Sequence, residues 1–203
     1  MLLPGLYPIL DAACFPDAAG MFTAAEELAA AGCTLLQYRN KFGNARRVLD
    51  EARELRVRLA SNVRLIMNDR ADLCLAAAFD GLHVGQDDLS PEAARRIIGP
   101  THWLGVSTHN PEQLAEANKT SADFLVIGPV FTTSSKANPD PVVGLEGVRR
   151  AKELTCKPLV AIGGITRVNA RSVIDAGADS VAVISDLIRD PGKSAEEFFR
   201  ILR

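Results

Sequence analysis

One kind of joint recurs along this chain and limits the folds open to it. A helix end is followed at once by an apolar strand in four segments: Ala31-Gly32-Cys33-Thr34, Ala78-Phe79-Asp80-Gly81, Ser121-Ala122-Asp123-Phe124 and Gly177-Ala178-Asp179-Ser180. A joint that repeats is typical of folds built from one supersecondary unit. Here the unit is strand, helix and next strand, which favours a parallel sheet connected by helices.

Strand-sized apolar runs alternate with helical patterns through the whole chain. Val48, Ala52, Leu55 and Leu59 illustrate the helical spacing, with Arg and Glu on the other face. The predicted helices are residues 21–31, 44 onward, 71–79, 91–98, 110–118, 145–154, 169–176 and 194–202. The predicted strands are residues 5–10, 34–39, 63–67, 81–86, 103–106, 124–127, 159–162 and 180–184. A long loop is expected at residues 128–144.

Eight predicted strands alternating with helices in 203 residues fit an α/β (β/α)8 TIM barrel of small size. A hydrophobic fraction of 47% suffices for one core, so we expect a single domain over residues 1–203. An open, doubly wound sheet is the alternative. It gives no reason for polar residues at nearly every strand end.

Charge and composition exclude several functions. The formal net charge of −2 gives no general attraction to nucleic acid or anionic lipid, so any phosphate binding must be local. No long apolar stretch or signal peptide is evident, and we expect a cytoplasmic protein without a membrane partner. The sequence leaves the oligomeric state open and is compatible with a homo-oligomer. The four cysteines are widely spaced without a Cys-x-x-Cys pair, which indicates buried, reduced thiols: Cys14, Cys33, Cys74 and Cys156.

Two carboxylates follow neighbouring predicted strands. Asp69 comes after the third strand and Asp88 after the fourth, and parallel strands place both at the same end of the sheet. Hard oxygen ligands without nearby Cys or paired His favour magnesium, which commonly arrives with substrate phosphates. The alternative is that Asp69 and Asp88 each cap the helix that follows. Taken alone, capping is the simpler interpretation, and the other strand ends favour the metal.

Further polar groups follow the remaining strands. Gln37, Arg39 and Lys41 share one side of the second strand by its two-residue period and suit an anionic ligand. Ser107 and His109 follow the fifth strand; for His109 a helix-flanking role and a catalytic role are both open. His83, within a strand, is interpreted as a core histidine. The remaining candidate residues at the strand ends are Asn68, Thr132, Thr133, Ser134, Ser135, Lys136, Gly163, Gly164, Ile184 and Ser185.

These groups form two expected anion sites. One combines the carboxylates with Arg39, Lys41 and Lys136. The other uses backbone at Gly164 and Ser185, after strands seven and eight, where barrels often bind phosphate. No activated nucleophile is evident. The combination indicates the joining of two phosphorylated molecules with loss of a metal-bound leaving group.

Seven ordered motifs resemble the thiamine phosphate synthase family over nearly the whole chain. They are Gln37-x-Arg39-x-Lys41, Asn68-Asp69-Arg70, residues 81–88 (GLHVGQDD), residues 105–109 (GVSTH), residues 128–131 (GPVF) through Lys136, residues 138–145 (NPDPVVGL) and residues 161–165 (AIGGI). Tyr38 and Ser135 stand where the family commonly has Leu and Thr. Both changes keep the relevant chemistry.

The resemblance implies a reaction and a site. 4-Amino-2-methyl-5-pyrimidinylmethyl diphosphate would condense with 4-methyl-5-(2-phosphoethyl)thiazole to thiamine phosphate and diphosphate, by a dissociative route assisted by Mg²⁺ on Asp69 and Asp88. The implied pyrimidine diphosphate site is Gln37, Tyr38, Arg39, Asn40, Lys41, Asn68, Ser107 and Lys136, of which Arg39, Lys41, Ser107 and Lys136 would be catalytic. The implied thiazole phosphate site is Thr133, Ser134, Ser135, Gly164, Ile184 and Ser185.

Two other functions are compatible with parts of this pattern. The related thiazole tautomerases share the barrel and would use His109 for proton transfer, but they need no pair of metal-binding carboxylates. A protein that binds thiazole phosphate or thiamine phosphate without turnover is the third hypothesis. It predicts indifference to Asp88→Ala.

Overall fold

The structure, a computed structural model, describes residues 2–133 and 140–203. Within these residues, eight strands form one closed barrel in which each strand pairs with its neighbours in the chain. The strands are β1 (Leu6–Asp11), β2 (Leu35–Arg39), β3 (Arg64–Asn68), β4 (Gly81–Val84), β5 (Trp103–Thr108), β6 (Phe124–Ile127), β7 (Leu159–Ile162) and β8 (Ser180–Val183). All pairings are parallel, and β8 returns to β1 with Val181 opposite Leu6. The predicted TIM barrel is confirmed.

A helix follows each strand along the described chain. The helices are α1 (Ala18–Ala30), α2 (Ala45–Arg58), α3 (Ala71–Ala76), α4 (Pro91–Ile98), α5 (Pro111–Asn118), α6 (Gly144–Leu154), α7 (Ala170–Asp175) and α8 (Pro191–Ile201). Their starts follow ordinary capping chemistry: the side chains of Ser90 and Asn110 each accept a backbone hydrogen bond, just before a proline at the first helical position. Short 3₁₀ turns at Ala12–Cys14 and Ser185–Leu187 precede α1 and α8.

Several predicted boundaries were wrong by a few residues. The helix expected at residues 71–79 ends at Ala76, because Ala78 takes a left-handed φ of 53° and the Phe79 N–H donates back to the Cys74 carbonyl. The strand expected to stop at residue 10 includes Asp11. The last helix begins at Pro191 rather than at residue 194. Residues 128–133 and 140–143 of the expected loop contain no helix or strand.

The core has two layers. Side chains on the outer face of the strands, such as Leu36 of β2 and Leu65 of β3, pack in one cluster with helix side chains such as Leu55 of α2. A second cluster fills the barrel interior, where Tyr7 and Phe124 meet edge to face with ring centroids 6.1 Å apart. Tyr7, Ile9 and Val126 of this interior cluster also line the open space that remains at the carboxyl ends of the strands.

Three of the four recurring joints contain the same arrangement of hydrogen bonds. An Asp carboxylate accepts a 2.8 Å hydrogen bond from a backbone N–H at the start of the preceding strand, and the Asp N–H donates to the carbonyl of that same residue: Asp80 with Leu65, Asp123 with Leu104 and Asp179 with Leu159. Each carboxylate also pairs with a helix cation, from Arg56, Arg95 and Lys152 in turn. We call these the Asp joints; they fix helix ends to the amino-terminal end of the barrel.

The cysteines and helices bear on two other expectations. All four thiols are free, and Cys33 and Cys74 are buried as expected. Cys14 is only half-buried, and Cys156 is exposed because it lies in the turn between α6 and β7. None of the helices in the described chain combines the length and apolar character needed to cross a bilayer.

Candidate active site

Two adjoining pockets open at the carboxyl ends of the strands. The inner pocket, of about 140 Å³, lies within the barrel mouth, and the outer pocket, of about 850 Å³, lies at the carboxyl ends of β1 to β5. Both are lined by Arg39, Asn68, His83, Ser107, His109 and Asp140. Two ligand groups bound one in each pocket would therefore meet along a common wall.

Asp69 and Asp88 converge in the outer pocket, where their carboxyl groups adjoin each other. Neither caps a helix: α4 is capped by Ser90, and the N-cap residue of α3 is Arg70, whose side chain makes no capping hydrogen bond. Asp69 has a left-handed φ of 63°, an uncommon conformation outside glycine that concentrates at functional sites. Asp88 is held by the Gly85 N–H at 2.8 Å. The alternative that Asp69 and Asp88 each cap the following helix is therefore wrong.

The electrostatics of this pair suit a bound cation. Burial and the adjoining Asp88 carboxyl raise the pKa of Asp69, and the Lys41 ammonium, 2.6 Å away, only partly offsets them. Burial raises the pKa of Asp88, but the adjoining Asp69 carboxyl, the Gly85 N–H and the Lys41 ammonium outweigh burial and lower it overall. Residues 2–133 and 140–203 contain no cluster of three or more His, Cys, Asp or Glu fit for a metal. Two hard carboxylates fit Mg²⁺, which completes its shell with water and substrate oxygens.

Arg39 is held in the shared wall by a carboxylate that sequence reasoning missed. Asp11, only 3% exposed, forms an ion pair with Arg39 and also accepts a 3.1 Å hydrogen bond from the Ala13 N–H. Because Asp11 ends β1, it lies at the same strand-end level as the other polar groups. Extending the first predicted strand by one residue would have found it.

β2 directs alternate side chains to opposite faces. Gln37 and Arg39 line the inner pocket, and the Gln37 amide donates a 2.9 Å hydrogen bond to the Tyr7 hydroxyl. Tyr38, fully buried, and Asn40 instead turn toward α2, where both bond to Glu51. The structure does not bring the side chains of Tyr38 and Asn40 together with the other predicted substrate residues, because the two-residue strand period points them to the opposite face.

Ser107 is held by two side chains at the wall shared by the pockets. Its hydroxyl lies 2.7 Å from His83 Nε2 in a hydrogen bond, and its carbonyl accepts from the Gln86 side chain at 2.6 Å. The interpretation of His83 as a core histidine was incomplete: His83 is buried, but it lines both pockets. Its position within an apolar strand gave no signal of this.

His109 also lines both pockets. Its Nδ1 lies 2.6 Å from the Gly128 carbonyl oxygen, and because a carbonyl only accepts, Nδ1 carries the proton. Its Nε2 lies 3.5 Å from the Asp140 carboxylate. The ring is therefore fixed between β5 and the following loop, and Nε2 is the atom that faces Asp140.

The inner pocket is completed by loops after β6, β7 and β8. Its lining includes Thr133, Gly164, Ile184 and Ser185. Gly164 has a φ of 63°, and a Cβ there would lie 2.5 Å from the Thr132 carbonyl oxygen, so glycine is required. The predicted residues Ser134, Ser135 and Lys136 lie outside the described part of the chain.

A cation joins the two loops that carry Gly164 and Ser185. The Arg167 backbone N–H donates to the Asp186 carboxylate at 2.7 Å, and its guanidinium adds two bonds to Asp186 and an ion pair to Glu197. The side chain of Asn169 also donates to the Gly164 carbonyl at 3.0 Å. These contacts fix the backbone groups of both loops relative to each other.

Fold and site together define a class: (β/α)8-barrel enzymes whose site for anionic small molecules lies at the carboxyl ends of the strands. Comparison with known proteins narrows the class. The family model described as thiamine monophosphate synthase matches residues 6–187. The chain therefore belongs to the thiamine monophosphate synthase family.

Individual relatives agree with the family. The thiamine-phosphate synthase of Koribacter versatilis is 62% identical over 203 residues, covering 98% of this chain and 96% of the relative. That of Chloroflexus aurantiacus is 44% identical over 158 residues, covering 77% and 73%. The solved thiamine phosphate pyrophosphorylase from Pyrococcus furiosus superimposes with a TM-score of 0.86 at 34% identity, covering 97% of this chain and 94% of that one. The tautomerase alternative is not supported by these comparisons.

Proposed function

We propose that this chain condenses 4-amino-2-methyl-5-pyrimidinylmethyl diphosphate with 4-methyl-5-(2-phosphoethyl)thiazole to give thiamine phosphate and diphosphate. The observation that carries the proposal is the pair of adjoining pockets with a shared wall. One pocket has carboxylates and cations, and the other has glycine backbone. This division suits two phosphorylated substrates that react where the pockets meet.

The outer pocket suits the diphosphate. Lys41 contributes an ammonium group and Arg39 a guanidinium at the wall shared with the inner pocket. Asn68 and Ser107 add amide and hydroxyl groups at the same wall, within reach of a pyrimidine ring. We keep Lys136 as a further proposed phosphate ligand on the strength of the family motif alone.

The inner pocket suits the thiazole phosphate. Gly164 presents backbone without a side chain, and Ile184 and Ser185 present backbone from the neighbouring loop. Barrels commonly receive a phosphate at the loops after strands seven and eight, which is the position of these residues. Thr133 closes the pocket from the loop after β6. The roles of Ser134 and Ser135 rest on the family motif.

The proposed chemistry needs charge placement rather than a protein nucleophile. The bond between the pyrimidinylmethyl carbon and the diphosphate oxygen breaks, and its electron pair leaves with the diphosphate. The thiazole nitrogen lone pair then forms the new carbon–nitrogen bond, so no proton has to be removed. Arg39 and Lys41 stabilise the developing charge on the diphosphate. The wall shared by the two pockets limits capture of the pyrimidinylmethyl cation by water.

Asp69 and Asp88 would hold Mg²⁺ in this scheme. When bound, the ion supplies positive charge for the diphosphate oxygens. Burial and the adjoining Asp88 carboxyl raise the pKa of Asp69, and this supports the assignment because a divalent cation relieves the repulsion between the two carboxylates.

Diphosphate release from the purified chain tests the proposal. With both substrates and Mg²⁺, we expect diphosphate and thiamine phosphate in equal amounts, and loss of both when the metal is chelated. Omission of the thiazole phosphate should abolish thiamine phosphate formation. Binding of both substrates without turnover would overturn the proposal and favour a binding protein.

A further inference from the structure

A buried carboxylate lies between β2 and α2, outside the proposed chemistry. Glu51, on α2, is only 6% exposed and accepts hydrogen bonds from three side chains. The donors are the Tyr38 hydroxyl, the Asn40 amide at 2.8 Å and the Arg47 Nε at 2.7 Å. A buried carboxylate with three donors, one of them cationic, is well compensated, and it binds together the groups that surround it.

Asn40 connects this carboxylate to the loop that follows β2. While its Nδ2 donates to Glu51, its Oδ1 accepts from the backbone N–H groups of Phe42 at 3.1 Å and Gly43 at 2.8 Å. The loop is tightly folded, since a Cβ on Gly43 would lie 2.9 Å from Asn40 Nδ2. Residues 40–43 are therefore held to α2 through one amide.

Lys41 is carried by this same segment. Its side chain is 44% exposed and reaches across the outer pocket to Asp69, where Nζ lies 2.6 Å from Oδ2. A long, half-exposed lysine loses much rotamer freedom when it binds an anion, and a fixed backbone at its base reduces that cost.

We propose that Glu51 is a positioning residue: through Asn40 it fixes the loop at residues 40–43, so that Lys41 is held ready for the diphosphate. The inference rests on the proposed function for its substrate. It also gives Tyr38 and Asn40 a role in the site without contact to substrate, because both reach the site only through Glu51 and the loop.

The state of the carboxyl group agrees with this role. Burial raises the pKa of Glu51, but the hydrogen bonds from Tyr38, Arg47 and Asn40 outweigh burial and lower it overall. Glu51 is thus an anion at neutral pH. Replacement by Gln keeps the size but leaves one acceptor oxygen in place of two and removes the charge, so the bonds from Asn40 and Arg47 cannot both persist and Glu51→Gln should loosen the loop without leaving a cavity.

The experiment is a double-mutant cycle between Glu51→Gln and Lys41→Ala. Alone, Glu51→Gln should raise the KM for the pyrimidine diphosphate about tenfold and leave the KM for thiazole phosphate within about twofold. In the Lys41→Ala background it should change neither value further. Glu54→Gln, on the same helix and paired at the surface with Arg58, is the control that should match wild type. Additive effects, or equal rises in both KM values, would overturn the role.

Calorimetric binding of inorganic diphosphate with Mg²⁺ repeats the cycle without turnover. Glu51→Gln should weaken binding about tenfold in the wild-type background and leave it unchanged in Lys41→Ala. If Glu51→Gln fails to fold, Tyr38→Phe removes one donor and should give a smaller shift in the same direction. A wild type that binds diphosphate but makes no thiamine phosphate would refute the proposed function, and the binding cycle would still decide the role of Glu51.

Discussion

The two ends of the barrel use Asp side chains in opposite ways. At the amino-terminal end, each Asp joint gives one carboxylate a backbone N–H and a cation, so its charge is fully compensated. At the carboxyl end, Asp69 and Asp88 contact each other and share Lys41 as their nearby cation within the described residues. The same residue type therefore stabilises the fold at one end and, at the other, gathers two carboxylates that share one cation.

The difference indicates which end each substitution should affect. Charges gathered against their mutual repulsion, and a left-handed backbone at Asp69, oppose stability and are retained where a ligand completes the site. Each Asp joint ties a helix end to the start of a strand through hydrogen bonds, and its residues line neither pocket. We therefore expect substitutions at the carboxyl end to reduce activity with little loss of stability, and substitutions at the Asp joints to do the reverse.

The largest expected effect is that of Asp69→Asn. Asn tolerates the left-handed φ, so the backbone is kept while one proposed metal ligand loses its charge. We expect turnover to fall about 100-fold or more, as when one charge-stabilising group is removed from an active site. The free energy of unfolding should stay equal or rise, because repulsion with Asp88 is relieved.

Steady-state kinetics and urea unfolding check this prediction together. Asp72→Asn is the matched control: Asp72 lies three residues on, is exposed and pairs with Arg70. A variant at Asp69 that loses stability and activity in parallel would break the distinction between the two ends.

The next effect is at the Asp joints. Asp123→Ala leaves the Leu104 N–H without its carboxylate and removes one partner of Arg95. We expect the free energy of unfolding to fall by about 2 kcal/mol, with kcat/KM of the folded protein unchanged. Asp175→Ala, which breaks an exposed pair with Arg171, should cost less than about 0.5 kcal/mol. A loss of activity at constant stability would contradict the assignment of Asp123.

Much of the fold and of the site could be predicted from the sequence. The rest could not, and the reasons are physical. Apolar runs and caps predicted the barrel, and the strand ends predicted Asp69, Asp88 and Arg39 in one place. Strands buried on both faces are apolar throughout, so periodicity alone did not tell that His83 faces the cavity. Ending the first strand one residue early hid Asp11. A resemblance to a contiguous motif included Tyr38, although strand alternation directs it to the other face.

A smaller effect is expected for Asp11. Like the carboxylate of an Asp joint it pairs with a cation, but it lies at the carboxyl end of the barrel. Asp11→Ala should raise the KM for the pyrimidine diphosphate about tenfold, because the Arg39 guanidinium loses a charged hydrogen-bond partner and its fixed position. The KM of Asp11→Asn should lie between those of wild type and Asp11→Ala, since Asn keeps an oxygen that accepts from the Ala13 N–H. A lower KM in Asp11→Ala would show instead that Asp11 competes with the diphosphate for Arg39.

The smallest expected effect concerns pH and Glu51, which contributes to both fold and site. Its pKa is lowered in the folded protein relative to the unfolded chain, so its contribution to stability is present above the ordinary carboxyl value of 4.5 and is lost as pH falls through the folded value. Glu51→Gln has no such proton to gain. The difference in free energy of unfolding between wild type and Glu51→Gln should therefore shrink as pH is lowered from 7 into the acid range, measured by urea unfolding. A difference that stays constant would mean that Glu51 contributes through its shape rather than its charge, and the loop at residues 40–43 would then depend on packing against α2.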